Sequence, residues 1–140
     1  MDRFLVDHSV WARLGTAPSV FAAFRGILNT YSPTAIWVCP PTAVEIGSSA
    51  RSGGEHTAVS SHLSAFLDCP LAPTSADSLA IQNHLWDVGL VRSVGAIDTV
   101  IAAYAVANDA TVLHYDSDFE HVARVTPGFK HQWIVPRGTV

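Results

Sequence analysis

The sequence predicts an α/β fold built on a parallel sheet, and three observations carry that prediction. Short apolar runs alternate with longer segments of helical periodicity along the whole chain. Acidic residues stand just beyond several of those runs, where open α/β folds place their ligands. At 140 residues and 49% hydrophobic, the chain is long enough for one well-buried core and too short for two comfortable ones. A single domain over 1–140 is therefore expected.

The first strand spans Phe4 to Asp7. Ser9 is placed to cap a short helix through Trp11 and Leu14 that stops near Gly15. Val20, Phe21, Phe24, Ile27 and Leu28 then form an amphipathic stripe. A second strand, Ala35 to Cys39, runs into Pro40-Pro41, which suit a helix start because the first N–H groups there have no intrahelical partners. That helix carries Val44, Glu45 and Ile46 and loosens at Gly53-Gly54. Val59, Leu63, Phe66 and Leu67 repeat at helical spacing, and Pro70 to Pro73 reads as a short edge strand. Thr74 or Ser75 caps a helix through Leu79, Leu85 and Trp86 that ends by Gly89. After the loop Leu90 to Gly95 come an Ala-rich helix from Ile97 to Asn108, a strand Thr111 to His114, a short helix near Phe119 to Ala123, and a last strand around Trp133 to Val135. Trp11, Trp37, Trp86 and Trp133 all sit in apolar patterns and are expected in the core, although the short helix of Trp11 also adjoins the predicted cleft.

No apolar stretch approaches the length of a membrane span, and the N-terminus lacks a basic region followed by a long apolar one, so cytoplasmic residence is expected. Cys39 and Cys69 have no metal-type spacing and read as two reduced thiols. The net charge of −4 argues at first against a nucleic-acid partner. Five of the twelve acids, however, are candidates for one site, and without them the chain carries seven acids and eight bases.

Those five are Asp7, Glu45, Asp98, Asp116 and Asp118. Each alone has an ordinary explanation. Asp7 suits a turn or cap, Glu45 stands three residues after Thr42 as in a capping box, and Asp98 suits a first helical turn. The pair in Asp116-Ser117-Asp118-Phe119, directly after a buried-type strand, has no such explanation. Gathered at one sheet edge, carboxylates repel by roughly 4 kcal/mol per pair at about 4 Å and an effective dielectric of 20. A hard divalent cation held by oxygen ligands offsets this most simply. Ser9 and Thr99, beside two of these acids, are candidates to orient a carboxylate or a water, or to satisfy local N–H groups. The histidines lack zinc-type spacing, and Gly53-Gly54 fits no phosphate-binding loop.

The motifs Phe-Leu-Val-Asp-His-Ser-Val-Trp-Ala-Arg-Leu, Pro-Pro-Thr-Ala-Val-Glu-Ile, Gly-Ala-Ile-Asp-Thr-Val-Ile-Ala-Ala-Tyr-Ala and Leu-His-Tyr-Asp-Ser-Asp-Phe-Glu-His-Val-Ala, in this order, resemble a PIN-domain ribonuclease of the VapC toxin type. The resemblance implies a three-layer α/β/α fold with a mostly parallel sheet, a Mg²⁺- or Mn²⁺-dependent endoribonuclease, a homodimer, and a VapB-type antitoxin that enters the active-site groove. It implies that Asp7, Glu45, Asp98 and Asp116 form an acidic quartet with Asp118 as a fifth acid. Asp7, Asp98 and Asp116 lead as direct metal ligands, the choice between Asp116 and Asp118 staying open. Arg92, in the loop before Asp98, is a candidate RNA-backbone contact.

Rival folds with acidic pockets fit less well. A receiver domain needs a Lys at a late strand end, and the only lysine, Lys130, lies beyond the Asp116 loop. A haloacid-dehalogenase-like phosphatase needs Asp-x-Asp after the first strand, whereas position 9 is Ser. A catalytically silent RNA-binding module, or an RNA-processing nuclease outside a toxin-antitoxin pair, stays as the alternative.

Overall fold

The computed structural model describes residues 1–140. Five strands form one all-parallel sheet: β1 (Phe4–Val6), β2 (Ile36–Val38), β3 (Leu67–Asp68), β4 (Thr111–His114) and β5 (Lys130–Trp133), in the spatial order β3-β2-β1-β4-β5. Seven helices cover it: α1 (His8–Trp11), α2 (Pro18–Tyr31), α3 (Pro40–Ser48), α4 (Gly53–Leu63), α5 (Ser75–Asp87), α6 (Ala96–Ala107) and α7 (Asp118–Val125). The layers are helix, sheet and helix, as the resemblance implies.

β1 is central and buried on both faces, which is why it reads as an unbroken apolar run. Its side chains divide between two cores. Leu5 joins Leu85 of α5, Ile101 and Ala102 of α6, and Phe119 and Val122 of α7. Phe4 and Val6 join Val10 of α1, Val20 and Phe24 of α2, Ile36 and Leu113. Burying each such Leu, Phe or Val contributes about 2 kcal/mol. Pairing in register, Val6 beside Leu113, brings the carboxyl ends of β1 and β4 level.

Several boundaries differ from the expected ones. Asp7, not Ser9, caps α1, which ends at Trp11 and leaves Leu14 outside. The glycines Gly53 and Gly54 open α4 behind the Ser52 cap. That helix stops at Leu63, so Leu67 belongs to a strand although its spacing is helical. The edge strand is Leu67–Asp68 and not Pro70 to Pro73, because β3 pairs with Trp37 and Val38 and proline supplies no ladder donor. The Pro70 to Pro73 segment is instead held by Asn108, whose side chain bonds both Leu71 N–H (3.0 Å) and Leu71 C=O (2.8 Å). Thr74 is the α5 cap, in a reciprocal box with Asp77. The last strand pairs from Lys130 beside Thr111 to Trp133 beside His114, upstream of its expected place. Trp86 is 59% exposed, against the expectation of a core position, and the other three tryptophans are half-buried. Both cysteines are free thiols.

Candidate active site

Asp7 follows β1 directly, and its N–H donates to Leu113 C=O of β4 at 2.9 Å, so the ladder itself carries the side chain to the sheet edge. One carboxylate oxygen, Oδ2, accepts from Ser9 N–H at 3.0 Å and caps α1. The other, Oδ1, is buried without any hydrogen-bond partner, in a residue only 3% exposed. An orphaned buried carboxylate oxygen is costly, and its burial next to further acids points to a cation as partner.

Asp116 follows β4. Its N–H donates to His114 Nδ1 (3.1 Å), and its Oδ1 accepts from Asp118 N–H (3.0 Å). Asp118 opens α7 and accepts from Gly95 N–H at 3.2 Å, tying that helix to the start of α6. Glu45 projects from α3 and Asp98 from the first turn of α6. Asp7, Glu45, Asp98 and Asp116 line one cavity of about 490 Å³ together with His8, Ser9, Arg13 and Tyr115.

The carboxylates fall into two sets of three whose oxygens all lie within 4.8 Å: Asp7, Glu45 and Asp98, and Asp98, Asp116 and Asp118. Asp98 belongs to both, so the three expected direct ligands are split between sets that it joins. The all-oxygen donor chemistry and the orphaned Asp7 Oδ1 fit a hard divalent cation. The crowding of these acids shows in their proton affinities. Burial, a hydrogen bond with Asp118 and the charges of Asp7, Asp116 and Asp118 push Asp98 up to about 9. Burial and the Asp7 charge raise Glu45, and burial raises Asp116.

His114 is fully buried under this loop. Because Asp116 N–H donates to its Nδ1, the ring proton must sit on Nε2, which lies 2.8 Å from His131 Nδ1. Burial holds His114 down to about 3, so the ring stays neutral as a fixed acceptor for the Asp116 amide.

The expected supporting residues bond to backbone. Ser9 Oγ accepts from Tyr115 N–H (2.8 Å), and Thr99 Oγ1 donates to Gly95 C=O (3.1 Å). Arg92 is exposed, outside the residues lining the cavity, with its guanidinium carbon 5.5 Å from the Trp86 ring centroid. Tyr115 was not among the sequence candidates, His114 was weighed only as a metal ligand, and Arg13 only as one of several bases that could gather on an RNA-binding rim. The position of Arg13 one helical turn after Ser9 was the available signal, and its Nη1 does donate to Ser9 C=O at 2.8 Å. A second, more apolar cleft of about 260 Å³ adjoins through His8 and Ala12 and is lined by Trp11, Ile46, Val59 and Leu63.

Comparison with known proteins places the chain in a family. The PIN domain family profile matches residues 4–125. Ribonuclease VapC18 of Mycobacterium tuberculosis is 35% identical over 140 residues, covering 98% of each chain. Ribonuclease VapC51 of the same species is 33% identical over 99% of this chain and 97% of its own. In fold, the chain is similar to the crystal structure of DNA-bound VapBC from Salmonella typhimurium, with a TM-score of 0.72 at 19% identity over 96% of this chain and 100% of that one. It is also similar to FitAcB from Neisseria gonorrhoeae, with a TM-score of 0.62 at 18% identity over 86% and 93%. With the acid cluster at the carboxyl edge of a parallel sheet and relatives alike over nearly their whole length, this chain belongs to the PIN-domain family, among the VapC ribonucleases.

Proposed function

We propose that this protein is a Mg²⁺- or Mn²⁺-dependent endoribonuclease, the toxin of a VapBC-type toxin-antitoxin module, and that it acts as one PIN-like domain over 1–140. The observation that carries the proposal is the orphaned Asp7 Oδ1 in a cavity walled by Glu45, Asp98 and Asp116. The relatives named as VapC ribonucleases support the reading.

Asp7, Asp98 and Asp116 would hold the cation directly, while Glu45, half-buried on α3, would ligate it or orient the attacking water. A divalent ion in such a donor set supplies Lewis acidity toward a phosphoryl oxygen and a lowered water pKa. Asp118 holds the Asp116 loop against α6 through Gly95, and His114 fixes the Asp116 amide from below. In-line attack at phosphorus leaves 5′-phosphate and 3′-hydroxyl ends. The wide cavity suits single-stranded loops of structured RNA such as a transfer RNA, whose bases are splayed out. The setting is the cytoplasm, where transfer RNA serves translation, and cleavage there inhibits translation and growth. No helix is long and apolar enough to cross a membrane.

A VapB-type antitoxin is the proposed partner, supported by the VapBC solved structures, and the apolar cleft beside the acids offers it a surface. A homodimer is supported by exposed apolar side chains on α5 and α6, among them Leu79, Trp86 and Ile97. The test is cleavage of total cellular RNA by purified, antitoxin-free protein in Mg²⁺, Mn²⁺ or EDTA, beside Asp98→Asn prepared identically. Metal-dependent fragments absent from the variant are expected. Equal behaviour of the two folded proteins over several RNA pools would favour a catalytically silent RNA-binding module instead.

A further inference from the structure

Arg13 is the only arginine or lysine lining the acidic cavity. Although four carboxylates share that cavity, none pairs with it: the two ion pairs of the protein join Lys130 to Asp109 and Arg137 to Glu120. Its guanidinium is therefore free of any direct ion pair at the rim of the acidic site.

The side chain is nevertheless held in place. Nη1 donates to Ser9 C=O at 2.8 Å, and the guanidinium carbon lies 4.7 Å from the Tyr115 ring centroid. Tyr115 is anchored in turn by its N–H to Ser9 Oγ, by its hydroxyl at Val140, and by edge-on contact with Trp133 at 5.3 Å. The cation–π contact restrains the guanidinium without consuming donors, so only one of its five N–H groups is committed, to Ser9 C=O. A planar, pre-oriented fork of this kind suits a phosphate oxygen pair.

We propose that Arg13, held against Tyr115, grips the RNA backbone phosphate next to the scissile one, the ligand class being a single-stranded ribonucleotide phosphodiester; this rests on the ribonuclease reading of the same cavity. An RNA strand supplies adjacent phosphates, one for the acid-bound cation and one for Arg13. An acidic peptide would bring its carboxylates against four others with Arg13 as their one nearby cation.

The experiment measures binding of a fluorescein-labelled random-sequence RNA 12-mer in Ca²⁺ by anisotropy across a salt series, for wild type, Arg13→Ala, Arg13→Gln and Arg13→Lys. Arg13→Gln keeps a donor for Ser9 C=O without the charge. Both neutral variants should bind roughly ten- to a hundredfold more weakly. They should also lose about 0.7 from the slope of log affinity against log salt, as one phosphate contact to a single strand contributes. Arg13→Lys should restore the slope and only part of the affinity. Wild-type binding and slope in folded Arg13→Gln would overturn the assignment and leave Arg13 to a protein partner or to packing. Absence of both RNA binding and RNA cleavage in the wild type would instead overturn the ribonuclease reading itself, and this inference with it.

Discussion

Replacing Asp98 by Asn should make the metal-free protein more stable, and increasingly so as pH rises. In the folded chain, burial and three neighbouring acids hold Asp98 near pKa 9, against 3.8 for the free side chain. The folded state therefore keeps a proton that the unfolded state releases above about pH 4, so stability falls as pH rises from about 4 towards 9. The unattenuated cost at pH 7 is about 4 kcal/mol, at 1.36 kcal/mol per pH interval. Asp98 is only half-buried and shares its proton with Asp116 and Asp118, so solvent and coupling reduce the cost to about 2 kcal/mol. Asn mimics the neutral acid and removes it. Urea unfolding in EDTA at pH 5 and pH 8 reads the difference directly. The variant should be ahead by about 3 kcal/mol at pH 8 and by less than about 1 kcal/mol at pH 5. Mg²⁺ should then stabilise wild type more than the variant, because it binds the folded acids and not the unfolded chain. A gap independent of pH, or a variant weaker than wild type at pH 8, would refute the account of Asp98 as a repelled ligand.

His114→Leu leaves the Asp116 N–H without its acceptor and should cost about 2 kcal/mol by thermal melting while slowing cleavage roughly tenfold or more; wild-type cleavage would remove the loop-holding role. Because the folded pKa of His114 is held down to about 3, its contribution is present above the unfolded value of 6.5 and is lost as pH falls from there toward 3, measurable as proton uptake on acid unfolding. Asp116→Asn should reduce cleavage by roughly a hundredfold or more, as loss of one charge-stabilising group typically does. Asp118→Asn, whose carboxylate lies outside the cavity lining and bonds Gly95 N–H, should reduce it less; equal losses would make Asp118 a direct ligand. Asn108→Ala releases Leu71 and should cost about 2 kcal/mol, with faster hydrogen exchange at the Leu71 amide while Asp7 to Val10 stay protected.

The central strands were legible because β1, β2 and β4 are buried on both faces and so read as apolar runs. The edges were not. β3 is two exposed residues, Leu67 and Asp68, whose spacing from Leu63 is helical, and the prolines after it drew the strand downstream. β5 reads Lys-His-Gln-Trp, with polar residues that an edge strand tolerates and a pattern search passes over. The five acids were readable from position, since a parallel sheet sends every strand end to one side. What the sequence did not reveal is the support beneath them. The fixed tautomer of His114 depends on an amide two residues on and a ring at position 131, and the stacking of Arg13 on Tyr115 depends on two elements about a hundred residues apart. Asp7 also shows why local rules were ambiguous there: one oxygen does the capping that any N-terminal Asp does, while the other is left for the site.

The strand order carries a consequence for how this chain is made. β1 is made well before β4, its neighbour on one side, and Asp7 joins Asp116 in one cavity only once Thr111 to His114 has slotted beside Phe4 to Val6. A nascent chain short of that point has half a sheet and separated carboxylates, and so no centre with which to cut. Pairing over such a sequence distance is slow compared with local helix formation. Synthesis in the order β1 to β4 thus withholds the acidic centre until the strand that leads into Asp116 has been made.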